Sequence, residues 1–114
     1  MSPLEQAFAH EWALARAAGR CGAHDRAFHH LERAHILGQR RTWLHVKSHL
    51  GMLRIGWQRR DVSELLGQAT RIAAAALFSW AWVPAGNTGG ANVSPFKPMP
   101  VPPDLQLLLD ADDA

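Results

Sequence analysis

The sequence predicts an all-α protein, in which four antiparallel helices form two hairpins and are followed by an extended segment rich in proline and glycine. Three observations predict this architecture. Apolar residues recur at helical spacing over most of residues 4–82. The gaps between the periodic segments are short, which favours antiparallel packing of consecutive helices. Six of the seven prolines then fall within residues 84–103, where neither a helix nor a central strand can form.

The first two helices are indicated by the residues at their ends. The first is expected over residues 4–18, after Ser2 as the N-cap residue and Pro3 at the first helical position. The second is expected over residues 24–37, with Gly38 as the C′ glycine that ends it. The short connection between them makes these two helices the first predicted hairpin.

The third and fourth helices form the second predicted hairpin. The third is expected over residues 42–57. Asp61, with Glu64 three residues later, has the spacing of a capping box and predicts the start of the fourth. The fourth helix is expected to run to about Trp82 and to stop before Pro84. Residues 1–83 are therefore predicted to form a four-helix domain.

Residues 84–114 differ in kind from the helices before them. Phe96, Met99 and Val101 are spaced between prolines, and this apolar content favours an ordered strap over the helices rather than a disordered tail. Residues 105–109 predict a short C-terminal helical turn. If the strap covers the histidines discussed below, four of its polar residues line the same site: Asn87, Thr88, Asn92 and Ser94.

Two resemblances to known families agree with the predicted helix hairpins and the segment that follows them. The segments WALARAAGR and DRAFHHLERA resemble tetratricopeptide units, which implies stacked helix hairpins able to bind a protein partner. The strings HLERAHILGQRRTWLHVKSHLGMLRIGWQRRD and GNTGGANVSPFKPMPVPPDL resemble a family of small bacterial proteins catalogued as domain of unknown function 3703. The second resemblance implies no activity.

Composition limits where in the cell the protein is expected and which class of partner it is expected to bind. A net charge of +2 is too small to favour nucleic-acid binding. The single cysteine cannot form an intramolecular disulfide, so a reducing compartment is the simpler assumption. Residues 1–20 lack an apolar signal region, and the most apolar run, residues 72–83, is too short to cross a bilayer. We therefore expect a cytoplasmic protein without membrane contact. Its five tryptophans are expected in the core.

Polar side chains with metal-binding chemistry fall on the apolar faces of three predicted helices. On the third helix, His45 and His49 lie between two apolar flanks and opposite Lys47. Glu11 falls in the middle of the apolar face of the first helix, and His35 falls on the core side of the second. A buried carboxylate is costly unless it is paired, protonated or bound to a metal ion.

Two interpretations of these residues stay open. In the first, Glu11, His35, His45 and His49 bind one transition-metal ion, such as zinc, copper, nickel or iron. Two histidines at positions i and i+4 can reach the same ion, and helical bundles often hold metals in this way. In the second, Glu11 forms a buried ion pair with His45 or His49, and no metal is involved.

These interpretations lead to two predicted functions. The first is binding or handling of a transition-metal ion, and the second is a tetratricopeptide-like protein-interaction module whose histidines are structural. The sequence shows no Ser-His-Asp order, zinc-hydrolase motif or nucleotide-binding fingerprint. It therefore favours a non-enzymatic protein, with no catalytic or cofactor-binding residues assigned.

Overall fold

Five helices follow one another along residues 1–78, 87–91, 93 and 97–113, which are the residues that the computed structural model describes, the side chains of 75–78 excepted. The helices are α1 (Pro3–Arg20), α2 (His24–Gly38), α3 (Thr42–Arg59), α4 (Val62–Phe78) and α5 (Pro103–Asp113). These described residues contain no strand, which confirms the all-α prediction. The expected end of the fourth helix at Trp82 lies outside the described residues.

The starts of α1 and α4 depend on side-chain caps. Ser2 accepts a hydrogen bond from the Glu5 backbone N–H at 3.1 Å, and the Glu5 carboxylate accepts one from the Ser2 backbone N–H at 2.8 Å. At α4, Asp61 accepts from the Glu64 backbone N–H at 3.1 Å. The Glu64 carboxylate instead accepts from the side-chain amide of Gln68. The carboxylate of Glu64 is thus available to the functional site described below.

Gly38 has a different role from the one predicted. It is the last residue of α2 rather than a C′ residue, and its φ is not positive. A Cβ atom at this position would lie 2.8 Å from the Cβ of Leu44 and 3.1 Å from the ring of Phe8. Glycine is therefore required because α3 and α1 approach the end of α2 closely, not because the helix ends in a left-handed conformation.

Two groups of buried apolar residues form the core. One joins α1, α2 and α5 through Leu4, Phe8, Ala34, Ile36, Leu37, Leu105 and Leu109. The other joins α1, α2 and α3 through Ala15, Ala18, Ala27, Leu31, Met52 and Ile55. α1 packs mainly on α2, α2 also on α3, and α3 also on α4, whereas the backbones of α1 and α3 come close at few points. This order decides which polar side chains meet.

Two tryptophans that were expected in the core are on the surface. Trp43 is 65% exposed and Trp57 is 73% exposed. Trp12 is partly buried against both core groups, and Trp80 and Trp82 lie outside the described residues. Trp57 stands on a flank of α3 that its apolar residues predict to be buried, but no described helix covers that flank. None of the helices in the described ranges is both long and apolar enough to cross a bilayer.

Candidate metal centre

Three buried histidines from two helices meet at one point in the interior. His35 lies near the end of α2, and His45 and His49 lie one turn apart on α3. Their exposed fractions are 2%, 7% and 3%. The Nε2 atom of His45 is 3.0 Å from Nε2 of His35 and 3.1 Å from Nε2 of His49. The same ring nitrogen of each side chain therefore faces the common centre.

The Nδ1 atoms of two of these rings are held by oxygen atoms. His35 Nδ1 lies 2.7 Å from the backbone carbonyl oxygen of Asn87, and His49 Nδ1 lies 2.6 Å from Oε1 of Gln68. A carbonyl oxygen only accepts hydrogen bonds, so Nδ1 carries the proton in both rings. The Nε2 atoms of His35 and His49 are consequently unprotonated and present lone pairs to the centre.

The orientation of the Gln68 amide supports the proton assignment on His49. Its Nε2 donates to Oε1 of Glu64 at 2.6 Å and to the carbonyl oxygen of Gly89 at 2.9 Å. Because both of these atoms are acceptors, the amide nitrogen must point at them and the amide oxygen must point at His49. Glu64 is itself buried and also accepts from the Ala91 backbone N–H at 3.3 Å. A chain of partners from α4 and the loop thus fixes the His49 ring.

The protein alone cannot satisfy all three Nε2 atoms. If His45 carries its proton on Nε2, this single N–H can make a full hydrogen bond to His35 or to His49, and the lone pair of the other ring is left buried without a donor of its own. If the proton is on Nδ1, both contacts join lone pairs, and His45 Nδ1 has no hydrogen-bond partner among the described residues. An electrophile at the centre accepts all three lone pairs and removes this conflict.

Burial keeps these histidines neutral at physiological pH. Desolvation, with the two neighbouring histidines, lowers the pKa of His35 well below its ordinary value. Desolvation is also the main cause that lowers the pKa of His45 and of His49 to about 4. Neutral imidazole is the form that binds a metal ion. No imidazolium proton therefore has to be lost at pH 7, and His45 needs only to carry its one proton on Nδ1 for all three lone pairs to face the centre.

The loop at residues 87–91 closes one side of the centre. Gly89 has a φ of +83°, and a Cβ atom there would lie 2.5 Å from Cδ2 and 2.7 Å from Nε2 of His35. Both observations require glycine. Arg71 of α4 holds this loop by donating to the carbonyl oxygens of Gly89 and Gly90. The loop in turn supplies the Asn87 carbonyl that orients His35.

Glu11 is not part of this centre, contrary to both interpretations of the sequence. Its carboxylate accepts from Nδ1 of His30 and from Nε of Arg33, each at 2.8 Å. The reason is the packing order: α1 packs mainly on α2, so the carboxylate of Glu11 meets His30 and Arg33 of that helix. The structure therefore brings together His35, His45 and His49 from the predicted set, and it places Glu11 in a separate ion-paired network.

Four contributors to the centre were not assigned to it from the sequence, or were assigned only conditionally. Glu64 was predicted only as part of the capping box of the fourth helix, and Gln68 was not singled out, because hydrogen-bond partners carry no periodic signal. Asn87 and Gly89 had a signal, because they lie in a segment whose prolines and glycines exclude a helix. Asn87 acts through its backbone carbonyl, and Thr88 contacts Glu32 instead of the histidines. Asn92 and Ser94 lie outside the described residues.

The geometry suits one metal ion with three nitrogen ligands. Two nitrogen atoms bound to the same tetrahedral zinc ion at about 2.0–2.1 Å lie roughly 3.4 Å apart. The two pairs that include His45, at 3.0 and 3.1 Å, are about 0.3–0.4 Å short of that spacing. Their ligand atoms all lie within 4.8 Å of one another. Oxygen partners on the opposite ring nitrogens are the usual support for metal-binding histidines.

Comparison with known proteins places the chain in a family without assigning it a function. The chain matches no curated protein and no solved structure. Its sequence matches the family described as protein of unknown function, DUF3703, over residues 2–109. That match covers nearly the whole chain, and the protein therefore belongs to the DUF3703 family.

Proposed function

We propose that this protein binds a single transition-metal ion through His35, His45 and His49 and acts in metal handling. One observation carries the proposal: three buried Nε2 atoms face each other at 3.0 and 3.1 Å, although two of them are unprotonated. His45 offers these two lone pairs one N–H at most, and a buried lone pair without a donor is unfavourable unless a cation accepts it. Glu11 is not a ligand, because its carboxylate is bonded to His30 and Arg33.

The donor set narrows the class of metal. Three neutral imidazoles suit zinc, copper, nickel or ferrous iron and do not suit magnesium or calcium, which prefer oxygen ligands. Three protein ligands leave a coordination position for water or another small ligand. Because all three rings are buried, we expect the ion to be retained by the folded protein. We place this activity in the cytoplasm, in keeping with the single exposed cysteine, Cys21.

The direct test measures metal content and affinity in protein purified without a histidine tag. Zinc is titrated calorimetrically into chelator-treated protein, and metal content is measured by mass spectrometry. We expect one zinc ion per chain in the wild type and loss of that ion in the His45→Ala, His49→Ala variant. The matched control is His10→Ala, His29→Ala, which removes two exposed histidines and should leave binding unchanged.

Three outcomes would overturn the proposal. The first is a wild type that binds no zinc, copper or nickel. The second is a control variant that loses as much metal as the buried variant does. The third is a stoichiometry that stays the same when both buried histidines are removed, because the ion would then be bound at surface residues.

A second candidate function is a tetratricopeptide-like interaction module with structural histidines. Large apolar side chains on the surface of α3 and α4 favour it: Trp57, Val62 and Leu66 are each at least 64% exposed. Exposed apolar groups of this size often mark protein interfaces. A partner captured from lysate by the wild type but not by Trp57→Ser, Leu66→Ser would support this function. Equal capture by both proteins would count against it.

A further inference from the structure

A cavity lined by α1, α2 and α3 lies apart from the metal centre, and none of the histidines lines it. The cavity has a volume of about 260 Å³ and opens to solvent. Its apolar wall is formed by side chains from three helices: Trp12 and Ala15 of α1, Leu31 of α2, and Leu50 and Ile55 of α3. The volume is close to the lower end for small-molecule sites, about 300 Å³. It is too large for isolated water and suits a small organic ligand.

The rim of this cavity is basic. Arg16 and Arg20 of α1 and Arg54 of α3 line it, and all three are exposed. None of the three has an ion-pair partner among the described residues, although Arg33, Arg41 and Arg59 elsewhere on the surface do. No described residue that lines the cavity is acidic. The charge at the rim is therefore available to an anion from solution.

Gly19 keeps the cavity open on the α1 side. It is a helical glycine, and a Cβ atom there would lie 3.4 Å from Cδ1 of Ile55, which is an ordinary van der Waals contact. Glycine inside a helix costs about 1 kcal/mol relative to alanine. Neither a positive φ nor a close backbone contact requires glycine here. A larger side chain at this position would occupy the cavity, so Gly19 is the natural place to block it.

We propose that this cavity binds a small amphipathic carboxylate, whose apolar body lies against Trp12 and Leu31 and whose carboxylate lies at Arg16 and Arg54. The apolar wall accounts for the body of the ligand, since burial of apolar area provides most of the affinity of small ligands. The unpaired arginines account for the negative end, because a guanidinium binds a carboxylate through two parallel hydrogen bonds. The inference is independent of metal binding.

The experiment uses 4-phenylbutyrate as the probe and its neutral amide as the matched ligand. Both are titrated into the full-length protein and followed by backbone amide chemical shifts in NMR spectra. We expect saturable shifts centred on residues 12–20 of α1 and 50–58 of α3. The acid should bind at least threefold more tightly than the amide, because the amide lacks the charge that the arginines recognise.

Variants separate the two parts of the site. The double variant Arg16→Gln, Arg54→Gln should bind the acid about threefold to tenfold more weakly than the wild type does. Its affinity for the amide should be nearly unchanged. The control Arg26→Gln, Arg60→Gln removes the same net charge from exposed positions outside the cavity and should change neither affinity. Gly19→Leu should abolish binding of both ligands. The arginine variants keep the test valid if Gly19→Leu fails to fold.

Specific results contradict the proposal. They are the absence of saturable shifts, shifts centred away from α1 and α3, equal affinity for acid and amide, or equal weakening by the arginine variant and its control. Binding of the acid by His45→Ala, His49→Ala should match the wild type. If acid binding were lost in that variant while its NMR spectrum stayed that of the folded protein, the ligand would be at the histidines and the cavity would not be its site.

Discussion

Each histidine of the centre has two ring nitrogens with separate tasks. In His35 and His49, Nδ1 donates to an oxygen atom, and this fixes Nε2 as the nitrogen with the free lone pair. His45 has no such partner on Nδ1 among the described residues. Its described polar contacts are those of Nε2 with the two neighbouring rings. We therefore expect Gln68 to influence metal affinity although it does not face the ion.

Replacement of Gln68 by leucine should weaken zinc binding by about 10- to 100-fold. The substitution removes the Oε1 acceptor and leaves the His49 Nδ1–H buried without a partner, so the ring loses its fixed orientation. Competition calorimetry against a chelator measures the affinity. Thr70→Ala, at an exposed position of the same helix, is the control. Equal affinity in wild type and Gln68→Leu would show that the amide does not orient the ring.

Glu11→Gln should reduce stability and leave metal binding intact. Burial alone raises the pKa of Glu11, but the hydrogen bonds and charges of Arg33 and His30 bring that pKa below its ordinary value. Loss of these charge-assisted bonds should cost about 1–3 kcal/mol, measured as the free energy of unfolding in urea. The difference from wild type should shrink as the pH falls through the lowered pKa. A loss of zinc in this variant would return Glu11 to the ligand set.

At the scale of the elements, the loop at residues 87–91 connects α4 to the ring of His35. Gly89 combines a positive φ with a position against that ring, whereas Gly22 has a positive φ of +74° and nothing within 4 Å of its missing Cβ. The two glycines therefore form a matched pair. Substitution of Gly22 tests backbone strain alone, and substitution of Gly89 tests strain together with contact to the His35 ring.

Gly89→Ala should destabilise the protein more than Gly22→Ala and should alone weaken metal binding. Strain from a non-glycine residue at positive φ costs about 1–2 kcal/mol in both variants. Only at Gly89 must the His35 ring also move, because a Cβ atom would lie 2.7 Å from its Nε2. Urea unfolding and zinc calorimetry measure the two effects. Equal zinc affinity in the two variants would mean that the loop does not constrain His35.

Helix positions were predictable from sequence because local signals determine them. Apolar spacing and the caps at Ser2 and Asp61 predict starts that agree with the structure to within one residue. The inward direction of His45 and His49 was predictable for the same reason, since a helix has a fixed period. The partners of an inward side chain were not, because they depend on which helix packs against that face. Glu11 shows this: its direction was predicted, and its partners were not.

At the scale of the whole molecule, the centre draws on separate parts of the chain. α2 and α3 supply the rings, α4 supplies Gln68 and Glu64, and the loop supplies the Asn87 carbonyl. A bound ion would therefore stabilise the packing of all these segments. The stabilisation grows with free metal concentration and reaches about 2.7 kcal/mol at 100 times the dissociation constant. Metal binding and folding should thus be linked.

The metal-free protein should lose stability as the pH falls from 6.5 to about 4. The pKa of His45 and of His49 is lowered from 6.5 to about 4 by burial, so in this window the unfolded chain binds protons that the folded chain does not. Each histidine lowers the free energy of unfolding by up to about 1.4 kcal/mol for each pH unit of this fall. Urea unfolding of chelator-treated protein at about pH 7.0, 5.5 and 4.5 measures this loss of stability, with the first value above the window and the other two inside it. His45→Ala, His49→Ala should show a shallower dependence, and an equal one would contradict the assignment.

The measurement that tests the metal centre most directly is zinc X-ray absorption spectroscopy on untagged protein loaded with one equivalent of zinc. We predict about three imidazole nitrogens at 2.0–2.1 Å from the ion. One imidazole should be lost from the spectrum in His35→Ala, and none should be lost in His10→Ala. A spectrum with only oxygen ligands, or one that does not change in His35→Ala, would contradict the assignment of His35, His45 and His49 as the metal-binding site.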